Sequence, residues 1–288
     1  MPEPGPGRLE RSCGFSPRDY IRGAPWRPGL ERIEGFFAGH AYDPHRHDTY
    51  AIGYTLAGVQ SFNYRGTRAD SLPGETMILH PDETHDGRSG SDSAFRYRMI
   101  YVEPSLVLAA LGGRMRALPF ARDVVRRDVR LLAALRSVLD DLDAGIDDLQ
   151  ADSFLAGLAD ILCMRDRSAA KPRQGAPAMR AVRRAAEFLD EAGGQPVASA
   201  ALEHVSGLGR FALARQFRAM LGTSPYRYLT MRRLDNARRL IRSGAGLADA
   251  ALEAGFADQS HMTRQFKRAY GLPPGSWRDL MVQGGHER

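Results

Sequence analysis

Residues 250–274 read Ala250-Ala-Leu-Glu-Ala-Gly-Phe-Ala-Asp-Gln-Ser-His-Met-Thr-Arg-Gln-Phe-Lys-Arg-Ala-Tyr-Gly-Leu-Pro-Pro274. A run of small and apolar residues stops at Gly255. Asp258 then stands where a side-chain oxygen can accept from the first free N–H groups of a new helix. Met262 and Phe266 are four apart, the spacing of neighbours on one helical face, so they turn inward. Gln259, Ser260, Thr263, Arg264 and Lys267 are left together on the opposite face. Helix, glycine-containing turn, helix is the layout of a helix-turn-helix unit.

The unit occurs twice. Arg215-Gln-Phe-Arg-Ala-Met-Leu-Gly-Thr-Ser-Pro225 and Arg264-Gln-Phe-Lys-Arg-Ala-Tyr-Gly-Leu-Pro-Pro274 align at an offset of 49 residues. Five of the eleven positions are identical, and Arg218 is matched in charge by Lys267. Leu202-Glu-His-Val-Ser-Gly207-Leu precedes the first copy as Ala250 to Phe256 precedes the second. In the first copy Leu213 and Phe217 turn inward, which leaves Arg210, Phe211, Ala214, Arg215 and Arg218 outside. Arginine pairs bidentately with guanine and glutamine with adenine in the major groove, so both outer faces suit the reading of DNA. Between the copies, Pro225 to Ser243 reads as one helix with Leu229, Leu234, Ala237, Leu240 and Ile241 as its inner stripe. At ~1.5 Å per residue it is about 28 Å long, near the ~34 Å that separates successive major-groove faces. Arg232, Arg233, Arg238, Arg239 and Arg242 lie along it, open to either phosphate or solvent.

With these residues the segment 179–282 resembles the DNA-binding domain of the AraC/XylS transcriptional regulators. The resemblance implies seven helices with two helix-turn-helix units on a central linker helix, and a regulatory domain attached. Carried over by position, it places base or phosphate contacts at Phe211, Ala214 and Arg215, and at Gln259, Ser260 and Arg264. Two positions depart from the family pattern: Gly209 stands where Ser or Thr is common, and Ala214 is too short to hydrogen-bond a base. The resemblance also implies RNA polymerase as a partner and activation as the usual outcome.

Upstream the pattern changes to strands. Tyr50-Ala-Ile-Gly-Tyr-Thr-Leu, Val59 to Gly66 and Thr76-Met-Ile-Leu-His are short apolar runs, and Phe95, Tyr97, Met99 and Tyr101 alternate with Arg96, Arg98 and Ile100. Short strands with Gly and Pro at the turns predict a small barrel or sandwich. Two helical stripes follow: Leu131, Leu132, Leu135, Val138, Leu139 and Leu142, then Phe154, Leu155, Leu158, Ile161 and Leu162. The expected fold is therefore α+β and multidomain. Residues 1–29 form a flexible arm, 30–115 a cupin-like β-barrel, 116–164 a helical pair suited to dimerisation, 165–178 a linker, and 179–283 an all-α DNA-binding domain.

The segments Pro44 to Tyr50 and Leu72 to His85 resemble the cupin sensor barrel of the same regulators, which implies a small-molecule effector. His-x-His on a strand puts His45 and His47 on one face, and His85 offers a third imidazole. Metal-binding cupins carry a glutamate a few residues beyond the pair, where Ala51 and Ile52 stand here. Hydrogen bonding at the barrel mouth is therefore the first expectation for His45, His47 and His85. Effector contact together with Tyr50 and Tyr54 is the second, metal ligation the third, and no cofactor is expected. Trp26, Phe62, Tyr64 and Tyr97 are further candidates for a pocket lining, and Arg46, Arg65, Arg68, Arg96 and Arg98 either for pairing with an anionic effector or for exposed strand positions.

Charge and composition agree with this division. Residues 1–170 hold 21 Arg and Lys against 24 Asp and Glu, whereas 171–288 hold 19 against 10. A basic C-terminal half on a mildly acidic N-terminal half suits a polyanion-binding module joined to a sensor. Two cysteines, Cys13 and Cys163, exclude a disulfide framework, no apolar run reaches the ~18–20 residues of a spanning helix, and the N-terminus lacks a secretory pattern. The expectation is a cytoplasmic, homodimeric, ligand-responsive and sequence-specific transcription regulator rather than an enzyme. A metal-dependent cupin enzyme fused to a DNA-binding domain and an architectural DNA binder are the alternatives.

Overall fold

A computed structural model describes residues 15–115, 117–166 and 176–282. The N-terminal domain is built on two facing sheets. The larger has the order β10-β7-β4-β9-β2-β1-β11 and the smaller β3-β8-β5-β6. Their strands are β1 (Tyr20–Gly23), β2 (Leu30–Phe37), β3 (His40–His45), β4 (Tyr50–Ala57), β5 (Gln60–Tyr64), β6 (Thr67–Ser71), β7 (Thr76–Leu79), β8 (His85–Ser89), β9 (Phe95–Val102), β10 (Val125–Arg126) and β11 (Met281–Val282). The cupin-like part is thus a two-sheet sandwich rather than one closed ring. The strand β1 lies inside the stretch expected to be a loose arm, because its backbone pairs antiparallel with β2 from Tyr20↔Phe36 to Gly23↔Ile33. The rest of that arm, residues 1–14, lies outside the described residues.

Period-two alternation sorts the side chains of the large sheet. On β9, Phe95, Tyr97 and Met99 point between the sheets, while Ile100 and Val102 point to a helical layer on the other face. On β4, Ala51 faces the sheet interior, whereas Tyr50, Ile52 and Tyr54 are buried under the helices. That layer is α1 (Pro104–Leu111), α2 (Val129–Leu139) and α3 (Asp148–Arg165). Proline at the first turn and Gly112 in the left-handed conformation bound α1, which lies inside the stretch read as barrel. Asp128 caps α2, and a capping box of Asp147 and Gln150 starts α3. The stretch from 116 expected to be helical first forms a strand, because Val125–Arg126 pairs with β7, and α2 starts only at Val129. Leu131, Leu135 and Val138 of α2 and Phe154, Leu158 and Ile161 of α3 are buried against the sheet. Burial of each such side chain contributes about 1.5–3 kcal/mol, so these stripes cover the sandwich.

Two strand arginines finish α2. Arg32 donates to the carbonyls of Val138, Asp141 and Ala144. Arg98 donates to those of Leu139 and Asp140 and pairs with Glu34 at 2.9 Å. Cations at a helix C-terminus satisfy orphan carbonyls and meet the negative end of the dipole. Arg98 is therefore a structural residue, not an arginine free for an anionic effector.

Seven helices follow among the described residues: α4 (Ala176–Ala192), α5 (Ser199–Ser206), α6 (Arg210–Leu221), α7 (Pro225–Arg242), α8 (Leu247–Glu253), α9 (Gln259–Tyr270) and α10 (Pro274–Leu280). The helix α4 begins within the stretch read as linker. The long α7 passes through two cores. Leu229 packs with Leu213, Phe217, Val182 and Leu189, while Leu234, Ala237 and Ile241 pack with Met262, Phe266 and Trp277. The helical domain also ends in a strand: β11 pairs parallel with β1 of the sandwich, Ile21 opposite Met281. The expectation of an all-α domain holds up to that strand, whose partner belongs to the other domain.

Candidate functional site

In each helix-turn-helix unit the second helix buries the residues its periodicity assigns to the core. Leu213 and Phe217 of α6, and Met262 and Phe266 of α9, are 2% exposed or less. Arg210, Phe211, Arg215 and Arg218 are exposed on α6, as are Gln259, Ser260, Arg264 and Lys267 on α9. Ala214 and Thr263 are half-buried between them. Phe211 is 70% exposed beneath the Arg210 guanidinium, which lies 5.0 Å from its ring centroid. Asp258 caps α9 through the N–H of His261. Gly209, at the matching position of α6, offers no such bond, and Glu203 accepts from the Arg210 N–H instead.

The second helices of both units end in repeated glycines that seat them on the sandwich. Gly222 and Gly271, 49 residues apart in sequence, close α6 and α9 at φ of 72° and 73°. Gly222 packs against Pro81 and Leu118, and Gly271 against Asp43, His45 and Tyr42. The peptide backbone joins in: Asp43 N–H donates to Gly271 O and Arg46 N–H to Arg268 O, both at 3.1 Å, and Leu118 N–H to Ala219 O at 3.0 Å.

Charge follows the same seam. Arg232 of α7 pairs with Glu103 at 2.6 Å and Asp48 at 3.1 Å. Arg238 donates to Glu31 at 2.9 Å and lies 4.7 Å from the Tyr270 ring. Arg227 donates to the Arg46 carbonyl at 2.5 Å, and Lys267 meets Asp43 at 2.7 Å. Neither reading of the α7 arginines, phosphate or solvent, describes Arg232 and Arg238: both are in ion pairs between the domains. Arg233 donates to the carbonyls of Gly194 and Gln195 within the helical domain. Arg239 and Arg242 are exposed. Lys267, expected on the DNA face, is exposed but paired with the sandwich. Sequence periodicity finds the face of a helix and not the neighbour that meets it.

The structure divides the effector candidates. His45, His47 and His85 come together: one ring nitrogen from each lies within 4.8 Å of the others, and all three residues are buried. Tyr50 and Tyr54 do not join them, because they share the opposite face of β4. The Tyr50 hydroxyl donates to the Pro119 carbonyl and that of Tyr54 to Asp140. Trp26 is 72% exposed and lines no interior, whereas Phe62, Tyr64 and Tyr97 belong to the core between the sheets. Burial holds all three imidazoles neutral at ordinary pH. His45 and His47 lie well below the usual histidine range, with the His85 ring adding to the effect, and His85 is pushed down to about 4. The cluster contains no carboxylate, among the described residues.

Comparison with known proteins gives the same two parts. Residues 27–159 match the family described as AraC-like ligand binding domain, and residues 202–279 match a helix-turn-helix domain family. The chain is 26% identical over 221 residues to the uncharacterized HTH-type transcriptional regulator YbfI of Bacillus subtilis, covering 76% of this chain and 80% of that protein. It is 40% identical over 63 residues to the HTH-type transcriptional activator RhaS of Escherichia coli, which spans 22% of this chain and 23% of that protein. Among solved structures, ToxT from Vibrio cholerae O395 aligns with a TM-score of 0.63 at 12% identity, covering 88% of this chain and 98% of that one. A structure of ToxT from strain SCE256 with an unsaturated fatty acid bound has the same TM-score at 13% identity and covers 91% of this chain and 99% of that one. At these identities the structural match speaks for the fold.

Proposed function

Because the chain belongs to the AraC family of transcription regulators, with a ligand-binding domain ahead of a helix-turn-helix DNA-binding domain, we propose that α6 and α9 enter successive major grooves of one operator. Arg210, Phe211, Ala214, Arg215 and Arg218 meet the first groove, and Gln259, Ser260, Thr263, Arg264 and Lys267 the second. The observation that carries this reading is the repetition of one exposed polar face at a 49-residue offset on either end of α7. A helix of 18 residues spans about 27 Å, so two grooves about 34 Å apart are met with modest DNA bending.

The domain seam supports a regulatory mechanism. Lys267 is held by Asp43 while the domains are docked, so full DNA contact requires that pair to open. A small molecule bound by the sandwich with unequal affinity for docked and released states shifts that balance. Activation and RNA polymerase as a partner follow family habit, and the likeness to the transcriptional activator RhaS supports activation. The chain acts in the cytoplasm, where the DNA is; no described helix is long and apolar enough to cross a membrane. A homodimer forms through the outer side of the α2–α3 layer, where Val129, Leu149 and Met164 are exposed. The chain is not an enzyme in this reading.

Selection of bound fragments from random DNA by the purified full chain tests the proposal. The expected outcome is a site with two conserved blocks about one helical turn apart. Enrichment of no sequence would overturn specific reading. Native mass spectrometry of the same preparation is expected to give a dimer with an organic adduct, and a bare monomer overturns both the dimer and the tightly held effector.

A further inference from the structure

We propose that His45, His47 and His85 form a binding site for one divalent first-row transition ion of the zinc type, and that the ion strengthens the seating of recognition helix α9 on the sandwich. The ion site stands independently of the DNA-binding reading, while its use as a regulatory input rests on that reading.

The hydrogen bonds fix the ligand atoms. His45 Nδ1 is 2.8 Å from the Asp43 carbonyl, His47 Nδ1 2.9 Å from that of Thr49, and His85 Nδ1 3.0 Å from that of Glu83. A carbonyl only accepts, so each Nδ1 carries the proton and each Nε2 carries a lone pair. Backbone carbonyls holding Nδ1–H are the outer partners that orient imidazole ligands in metal sites. His47 is 4% exposed, and its Nε2 has no hydrogen-bond partner. The rings stand close: centroids are 4.2 Å apart for His45 and His85 and 4.9 Å for His47 and His85. Three imidazole lone pairs drawn this close together, that of His47 with no partner at all, call for a cation. Ligand nitrogens within 4.8 Å of one another need about 1.5 Å of side-chain adjustment to reach the ~3.3 Å that tetrahedral Zn–N bonds of about 2.0–2.1 Å imply. Three imidazoles without a carboxylate select zinc, cobalt, nickel or copper over magnesium or calcium, and the fourth position is left to water or a small ligand.

The same segment clamps α9. His45 and His47 turn toward His85, while the alternating positions face the helical domain. The Arg46 N–H and C=O bond to Arg268 and Arg227, and the Asp48 carboxylate pairs with Arg232. Gly271, the last turn of α9, stands directly against His45 Nδ1. Fixing the two rings with an ion therefore fixes the backbone that bonds to α9.

The test uses the untagged full chain, stripped by chelator and titrated with Zn²⁺ and Co²⁺. Expected are one equivalent bound, a Co²⁺ visible spectrum of tetrahedral type, and slower amide exchange in both 40–49 and 264–272. Substitutions H45Q, H47Q and H85Q are each expected to weaken binding beyond the roughly 10–100-fold that loss of a supporting partner costs. H40Q, outside the cluster, is expected to leave it unchanged. No stoichiometric ion on the wild-type chain, or equal binding by the cluster variants, overturns the site. The Co²⁺ spectrum is read on unsubstituted protein, so a variant that fails to fold leaves the site testable. Slower exchange confined to 40–49 and 85 overturns the coupling to α9. These readouts involve no DNA, so failure of operator binding is told apart from failure of the ion site.

Discussion

A Cβ placed on Gly271 would stand 2.8 Å from Nδ1 of His45 and 2.8 Å from the Asp43 carbonyl. The last turn of the second recognition helix is therefore in direct contact with a histidine of the sensor domain, and a missing side chain makes the contact possible. Gly222 repeats the arrangement on α6, where an added Cβ would meet Pro81 at 2.7 Å.

Gly271→Ala and Gly222→Ala are expected to destabilise the chain beyond the ordinary cost of alanine at a left-handed position, about 1–3 kcal/mol, because the clash adds to the strain. Gly244 also has a positive φ, 96°, with nothing within 4 Å of its Cβ position. Gly244→Ala isolates the conformational part. Urea unfolding of the three variants compares them, and equal losses at all three would mean that the domain contact is loose.

Arg215→Ala and Arg264→Ala are each expected to lose about 1–3 kcal/mol on the selected operator, with relaxed preference at the base each meets. Fluorescence anisotropy against single-base variants of the site reads this out. Uniform weakening on all sequences would make them phosphate contacts.

Two arginines one residue apart on α7 are expected to behave differently. Arg239 is exposed, and Arg239→Ala is expected to lower the salt dependence of DNA binding by about one unit of slope without altering preference. Arg238 is paired with Glu31, the two side chains being 12% and 29% exposed. Its removal strands a half-buried carboxylate, at a cost between the roughly 1 kcal/mol of surface pairs and the 3–5 kcal/mol of buried ones. Denaturation and salt titration together separate the two roles.

Asp43→Asn releases Lys267 from its 2.7 Å partner. If docking restrains DNA binding, the variant is expected to bind the operator about 2–5-fold tighter, the worth of an exposed ion pair. Unchanged or weaker binding in anisotropy titrations would remove Lys267 from the mechanism.

Acid is expected to destabilise the sandwich through His80. Burial lowers this imidazole from 6.5 to about 4, with Arg65 adding to the shift. The unfolded chain thus takes up a proton that the folded one refuses. The neutral ring's contribution is present above pH 6.5 and is lost progressively as pH falls toward 4, to a limit of about 3 kcal/mol. His80 packs between Tyr50 and Phe120, so His80→Phe keeps the packing and is expected to flatten the stability profile between pH 4 and 6.5. An unaltered profile would assign the acid sensitivity to other groups.

The two helix-turn-helix units were legible because each carries a local signal that needs no partner. The 49-residue repeat, the 3.6-residue stripe and the glycine at each helix end all act within one segment, and the helices form where those signals place them. The alternation of β9 was equally plain. It marked two faces but not what covers each, so Tyr50 and Tyr54 were grouped with the histidines although β4 turns them to the opposite side. The strand β1 was missed because four residues among Gly, Pro and Arg have little period of their own; their partners lie in β2 and at the far end of the chain.

The sequence by itself determined two domains, the type of each, and the outward face of both recognition helices, since periodicity and charge act over a few turns of chain. Only the tertiary structure decided that His45 and His47 meet His85, that Arg232 and Arg238 pair with carboxylates of the other domain, and that β11 adds to β1. Those relations join residues 38 to more than 250 positions apart. Their energies exist only once the chain has closed the loops between them, which no local pattern encodes.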